Sequence, residues 1–147
     1  MEMIVFSGVQ GSGKSTFYFE RFAKSHLRIN LDMLRTRNRE DIILHACLAA
    51  QQPMVIDNTS PTIAQRARYA TIGRAAGFRT VLYFFDISIE TALTRNGNRS
   101  GAELVPEIGV RGTFAKLERP TNAEPFDQMF VVEVAQDGTT NVREVAG

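Results

Sequence analysis

Residues 8–15 read Gly-Val-Gln-Gly-Ser-Gly-Lys-Ser, a full G-x-x-x-x-G-K-[ST] pattern set directly behind the apolar run Met3-Ile4-Val5-Phe6 and directly ahead of a helix-forming segment. Few architectures accept that arrangement. The glycines let the chain curl with its N–H groups turned inward, and the following helix N-terminus adds unpaired amides and a positive dipole end. The product is a cradle for phosphate oxygens. Gly8, Gln10, Gly11, Ser12, Gly13, Lys14, Ser15 and Thr16 make up the expected loop and first helical turn. Lys14 brings a point charge, and the Ser15 hydroxyl is suited to hold Mg²⁺ on the terminal phosphates of a nucleoside triphosphate such as ATP. The competing reading, a glycine turn with an idle lysine, is disfavoured by the strand before and the helix after.

Downstream, apolar strands alternate with helical patterns, which predicts βαβ units and a parallel sheet. Five strands are expected, at about Met3–Ser7, Leu27–Asn30, Met54–Asp57, Thr80–Phe85 and Met129–Val134. Helices are expected from the loop to about Ala23, over Arg39–Gln51, from an N-cap at Ser60 with Pro61 as first helical residue to Gly77, from Ser88 with Glu90 in the first turn, and over about Val110–Leu117. The polar stretch Asn96-Gly97-Asn98-Arg99-Ser100-Gly101 suggests a mobile flap, part of a lid over about residues 95–105. No repeat or linker interrupts the pattern, so the expectation is one α/β domain over 1–147: a five-stranded parallel sheet flanked by helices.

Composition narrows the class. The 147 residues, 44% hydrophobic and 22% charged, suffice for one well-buried core. No apolar run approaches the roughly 18 residues of a membrane span, and a signal-peptide start is missing, so a cytoplasmic location is expected. Cys47, the single cysteine, sits between Ala46 and Leu48 and reads as a buried structural thiol. His26 and His45 lack metal-ligand spacing. The net charge of +1 conceals an asymmetry: residues 1–100 carry 13 Lys/Arg against 8 Asp/Glu, and residues 101–147 carry 4 against 8, so the basic part holds the loop.

In an open α/β sheet, residues just beyond the strand C-termini converge on one cleft. After the second strand, Asp32 and Arg35 stand three apart, where both can face an acceptor. Asp32 suits a general base and Arg35 a phosphate fork; a helix cap and a solvated charge beside Arg37 and Arg39 are the plainer readings. After the third strand come Asp57 and Asn58. Asp57 lies where a magnesium-site carboxylate belongs, although its neighbours leave room for it to act from behind the metal's ligands or to pair with and orient the lid. Arg95 and Arg99, at i and i+4, suit a clamp on donor phosphates or, more simply, helix-end arginines bonding the last carbonyls.

These segments together resemble the polynucleotide 5′-hydroxyl kinases, both the phage type and the kinase module of the animal DNA-end repair enzyme. Ile29-Asn30-Leu31-Asp32 with Arg35 is similar to the segment carrying the family's general base and acceptor-phosphate arginine. Val55-Ile56-Asp57-Asn58-Thr59-Ser60-Pro61, continued by Gln65-Arg66-Ala67-Arg68-Tyr69, resembles the animal enzyme's approach to its third helix. Arg95 and Arg99 match the lid arginines, and Val105-Pro106 with Glu118-Arg119-Pro120-Thr121-Asn122-Ala123-Glu124-Pro125-Phe126 matches the stretch before the last strand. The resemblance implies a Mg²⁺-dependent transfer of the ATP γ-phosphate to the 5′-hydroxyl of a nucleic acid end or nucleotide. By it Lys14, Asp32, Arg95 and Arg99 are catalytic, Ser15 and Asp57 hold the metal, and Arg35, Asp57 and Asn58 face the acceptor. Only about twenty residues separate Arg35 from Asp57, fewer than in the family, which implies a small acceptor pocket. No Asp-x-Asp-Gly-Thr motif of a joined 3′-phosphatase occurs here. A kinase for another small hydroxylated molecule and a non-transferring nucleotide switch remain as alternatives; a GTPase is disfavoured by the lack of Asn-Lys-x-Asp and Asp-x-x-Gly. Neither a membrane nor an obligate protein partner is indicated.

Overall fold

Strand β1 (Glu2–Ser7) is the buried spine of the fold, because its side chains must satisfy two apolar layers at once. Met3 and Val5 point to one side and Ile4 and Phe6 to the other, the period-2 alternation of a strand. A computed structural model describes residues 1–101 and 104–145 of the chain; Ala102 and Glu103 of the expected lid, and Ala146 and Gly147 of the expected domain, lie outside the described residues. The six-stranded sheet runs β2-β3-β1-β4-β5-β6, with β2 (Leu27–Ile29), β3 (Met54–Ile56), β4 (Arg79–Asp86) and β5 (Gln128–Val134) parallel to β1. Its Val/Ile/Phe-rich central strands are covered on both faces, as parallel strands must be.

Helices α3 (Arg37–Ala50) and α4 (Ile63–Ala75) place Leu44, Cys47, Tyr69 and Ala70 against Met3, Val5, Met54, Ile56 and Leu82. On the opposite face α1 (Lys14–Arg21) inserts Phe17 and Tyr18 among Ile4, Phe6, Val81, Phe85 and Val132. Phe6 meets Phe85 edge-on at 5.1 Å between ring centroids, part of a continuous aromatic cluster under the phosphate loop. A third cluster, Val9, Ile87, Ala92 and Val110, seats α5 (Ile89–Gly97) and α6 (Glu107–Lys116) against that loop. Among the described residues no helix is long and apolar enough to cross a membrane.

Three expectations need correction. A sixth strand, β6 (Thr140–Glu144), pairs antiparallel with β5 across a turn at Gly138, whose φ is 86°. Helix α4 begins later than expected: Thr62 is its N-cap, accepting the Gln65 N–H at 3.2 Å while Gln65 returns the bond to the Thr62 N–H at 3.2 Å. This reciprocal box satisfies two end amides, which Ser60 with Pro61 at the first turn does not match. Ser60 instead lies at φ 36°, where its carbonyl accepts the Ser7 hydroxyl at 2.8 Å. The expected flap is also shorter at its start, because α5 continues to Gly97. Its buried Asn96 side chain donates to the Val105 carbonyl at 2.6 Å and accepts the Val105 N–H at 3.1 Å, closing the base of the segment that follows.

Candidate functional site

The C-terminal ends of β1, β2 and β3 bring the loop, Asn30–Arg35 and Asp57–Ser60 to one edge of the sheet. Gly11 has φ 80°, and a Cβ there would stand 2.7 Å from the Ala92 carbonyl of α5; Gly13, at φ 89°, is the left-handed residue from which α1 starts. Gly11 leaves no room for a side chain, so the loop presses closely under α5 there, and Gly13 has a backbone that side chains rarely adopt. Lys14 folds back into this curl, its Nζ donating to the Gly8 carbonyl at 2.9 Å and the Val9 carbonyl at 2.8 Å. Burial lowers its pKa to about 8, against the upward pull of Asp57 and Asp32 and with a further downward push from Arg99. The charges of Asp32, Asp57 and Arg99 are therefore all felt at the Lys14 ammonium.

Ser15 donates its hydroxyl to Asp57 Oδ2 at 3.0 Å, and Asp57 is 1% exposed. A hydroxyl beside a buried carboxylate is a hard-oxygen donor pair of the kind that holds Mg²⁺ together with nucleotide phosphates. Among the described residues no three His, Cys, Asp or Glu side chains cluster to hold a metal by themselves. Arg28 also reaches this pair, Nε donating to Asp57 Oδ2 at 2.8 Å and Nη2 to Ser15 Oγ at 2.8 Å. Nothing in the loop motif announces Arg28. Its only signal is a cation in a short apolar strand, in register with Val55 of the neighbouring β3.

The segment bearing Asp32 is a four-residue helix, α2 (Leu31–Leu34), anchored from below. Asn30 caps it, accepting the Met33 N–H at 2.9 Å, and donates to the Asp57 carbonyl at 2.7 Å. Asn58 accepts the Leu31 N–H at 2.8 Å and donates to Glu40 Oε2 at 2.8 Å. Asn58, expected at the acceptor, thus has its amide engaged in holding α2. Asp32 itself is exposed, and no hydrogen bond or ion pair among the described residues involves its carboxylate, so the helix-cap alternative falls to Asn30. Arg35 closes α2 as an exposed residue with φ 77°, an uncommon backbone for a side chain with a Cβ.

Arg95 and Arg99 lie on the other side of the loop. Arg95 Nε donates to the Gly11 carbonyl at 2.8 Å, and its guanidinium also lies beside Gly13 and Gly138. Arg99 follows the end of α5 instead of sharing its face with Arg95, because the helix stops at Gly97. Gln10 points to α6, donating to Thr113 Oγ1 at 3.2 Å, and its buried Oε1 has no hydrogen-bond partner among the described residues. Ser12 is buried and Thr16 exposed.

A mostly parallel sheet with this loop at its centre and with helices on both faces is a P-loop kinase-like domain. Residues 41–120 match the AAA domain family, and the chain belongs to that family. The match begins beyond the phosphate loop. The chain is 27% identical over 150 residues to the bifunctional polynucleotide phosphatase/kinase of Schizosaccharomyces pombe, covering 98% of this chain and 33% of that one. It therefore spans about a third of the length of that relative. In fold it is similar to a gluconokinase from Sinorhizobium meliloti 1021, with a TM-score of 0.64 at 20% identity over 91% of this chain and 83% of the other. It is likewise similar to Chaetomium thermophilum Kti12 in complex with ADP-AlF3, with a TM-score of 0.63 at 19% identity over 89% and 88% of the two chains.

Proposed function

We propose that the chain is an ATP- and Mg²⁺-dependent phosphotransferase that moves the γ-phosphate to the 5′-hydroxyl of a polynucleotide end or a nucleotide, with residues 1–147 acting as one domain. The observation that carries this reading is Asp32: a solvent-facing carboxylate that no described residue pairs with, on a helix braced through Asn30 and Asn58 and tied to Asp57, the partner of Ser15 in the phosphate loop. A carboxylate so placed can take the acceptor hydroxyl's proton as that oxygen attacks the γ-phosphorus and the β–γ bridging oxygen departs with ADP. The loop from Gly8 to Thr16 would receive the donor phosphates. Lys14, Arg95 and Arg99 would stabilise charge on the transferring group, with residues 95–105 serving as the lid. Ser15 and Asp57 would hold Mg²⁺, which neutralises the charge of the terminal phosphates. Arg35, close behind Asp32, would grip a phosphate on the acceptor, and Asn58 would act on the acceptor side by fixing α2. Support for a nucleic-acid acceptor comes from the resemblance of the Asn30–Arg35, Asp57–Pro61 and Glu118–Phe126 segments and from the similarity to the S. pombe enzyme along nearly the whole chain.

The experiment is an acceptor screen with γ-labelled ATP over 5′-OH oligonucleotides, 3′-nucleotides, nucleosides and sugars, repeated with Asp32→Asn. Label is expected on 5′-hydroxyls, and the variant should lose at least about 10²-fold in turnover with ADP affinity nearly unchanged. Inert oligonucleotides and nucleotides beside a labelled sugar would replace this reading with a small-molecule kinase.

A further inference from the structure

Ser15 Oγ has one proton and two lone pairs. The proton goes to Asp57 Oδ2, 3.0 Å away, and Arg28 Nη2 donates to the same Oγ from 2.8 Å. One of the two lone pairs thus already faces a guanidinium N–H, and a metal on the other would share the oxygen with it. The second arm of that guanidinium, Nε, lies 2.8 Å from Asp57 Oδ2, so one rigid fork spans both oxygens of the donor pair. Asp57 is 1% exposed, and Arg28 is the cation in direct contact with that buried carboxylate, whose other hydrogen-bond partner here is the neutral Ser15 hydroxyl.

We infer that Arg28 is a resident cation in the metal seat, a residue against which Mg²⁺ must compete when it binds with nucleotide. The inference rests on the reading of Ser15 and Asp57 as that seat. Two positive groups on one hydroxyl oxygen repel, so a metal on the remaining lone pair drives Nη2 away from Ser15. The surroundings accommodate such a departure. The Arg28 side chain is 22% exposed, and its guanidinium carbon lies 5.9 Å from the Tyr18 ring centroid and 5.5 Å from that of Phe19, two faces that attract a cation. Phe19 is itself 62% exposed, leaving room beside it. Arg28 thereby balances the Asp57 charge and orders the seat, and it raises the metal concentration at which the seat fills.

The test measures ADP affinity by calorimetry across a Mg²⁺ series for the wild type, Arg28→Ala and Arg28→Lys, with thermal melts to confirm folding. Arg28→Ala should lower the Mg²⁺ concentration that half-saturates the gain in ADP affinity by about tenfold, the scale of one charge-assisted hydrogen bond. Arg28→Lys, which keeps a charge without the fork, should shift it in the same direction by less, and it carries the test if the alanine variant fails to fold. An unchanged or raised half-saturating Mg²⁺ in a folded variant overturns the inference and makes Arg28 a simple brace for Asp57. If Mg²⁺ leaves ADP affinity unchanged in all three proteins, the assignment of Ser15 and Asp57 falls as well.

Discussion

Arg66 and Glu124 meet as a two-pronged ion pair, Nε to Oε1 and Nη2 to Oε2 both at 2.9 Å, with neither side chain exposed to solvent. The free Nη1 donates to the Glu118 carbonyl at 2.7 Å and to Ser7 Oγ at 3.2 Å, so α4, the 118–124 segment and the end of β1 are tied at one point just ahead of the phosphate loop. Removing one partner strands a buried charge. Glu124→Ala is expected to cost about 3–5 kcal/mol in urea unfolding. A loss below about 1 kcal/mol would mean that water enters and solvates Arg66.

A second buried acid braces the short helix that carries Asp32. Glu40, fully buried at the start of α3, accepts from Tyr69 Oη at 2.7 Å, from Asn58 at 2.8 Å and from Arg37 at 3.2 Å. Burial and the Glu40 carboxylate both raise the Tyr69 pKa, so its hydroxyl remains a donor. Tyr69→Phe should cost about 1–3 kcal/mol by leaving Glu40 short of one hydrogen bond. Because Asn58 passes this anchoring to the Leu31 N–H, turnover should also fall while ADP affinity holds. Loss of stability with kcat unchanged would confine the network to folding.

Lys14 gives a pH signature with two opposite arms. Burial takes its pKa from the ordinary 10.5 to about 8. Between those values the unfolded chain holds a proton that the folded chain has released, so this group makes stability rise as pH climbs from about 8 toward 10.5, and contributes no slope below about 8. Bound phosphate favours the charged amine, so ADP affinity in EDTA should fall over the same range. Lys14→Met should flatten both curves relative to wild type, as melts and calorimetry at pH 7 to 10 would reveal. A wild-type affinity that is level to pH 10 would show that Lys14 does not meet phosphate.

The central strands and the loop were legible because their signals are local: a buried apolar run, fixed glycines and a lysine. Ser88 likewise caps α5 where its sequence says it should, with the Thr91 N–H at 3.1 Å from its hydroxyl. Where two local signals competed, Ser60-Pro61 hid the Thr62-x-x-Gln65 box that starts α4. Strand β6 was missed because Thr-Asn-Val-Arg-Glu offers one apolar residue, although Asp137-Gly138 ahead of it is a hairpin signal. Arg28 and Glu40 were illegible for another reason. Their partners are distant in the chain, at Ser15, Asp57, Asn58 and Tyr69, and a charged residue in isolation reads as solvated surface.

Arg35 joins a strained backbone to a proposed acceptor contact, and the two can be tested apart. Its φ of 77° and ψ of −37° lie outside the regions that side chains with a Cβ favour, and such a residue costs on the order of 1–3 kcal/mol and persists where its surroundings impose it. Glycine relieves the strain but adds freedom to the unfolded chain, so Arg35→Gly should gain about 1 kcal/mol net, while Arg35→Ala keeps the Cβ and gains nothing. Both substitutions remove the guanidinium fork. If Arg35 holds an acceptor phosphate, each should abolish the preference for a 3′-phosphorylated nucleoside over the bare nucleoside, whichever way stability moves. That divergence separates function from folding: unfolding in urea ranks glycine above alanine, and the acceptor assay ranks them equally low. Retention of the 3′-phosphate preference in both variants would make Arg35 a solvated charge at a strained turn and move the acceptor contact elsewhere.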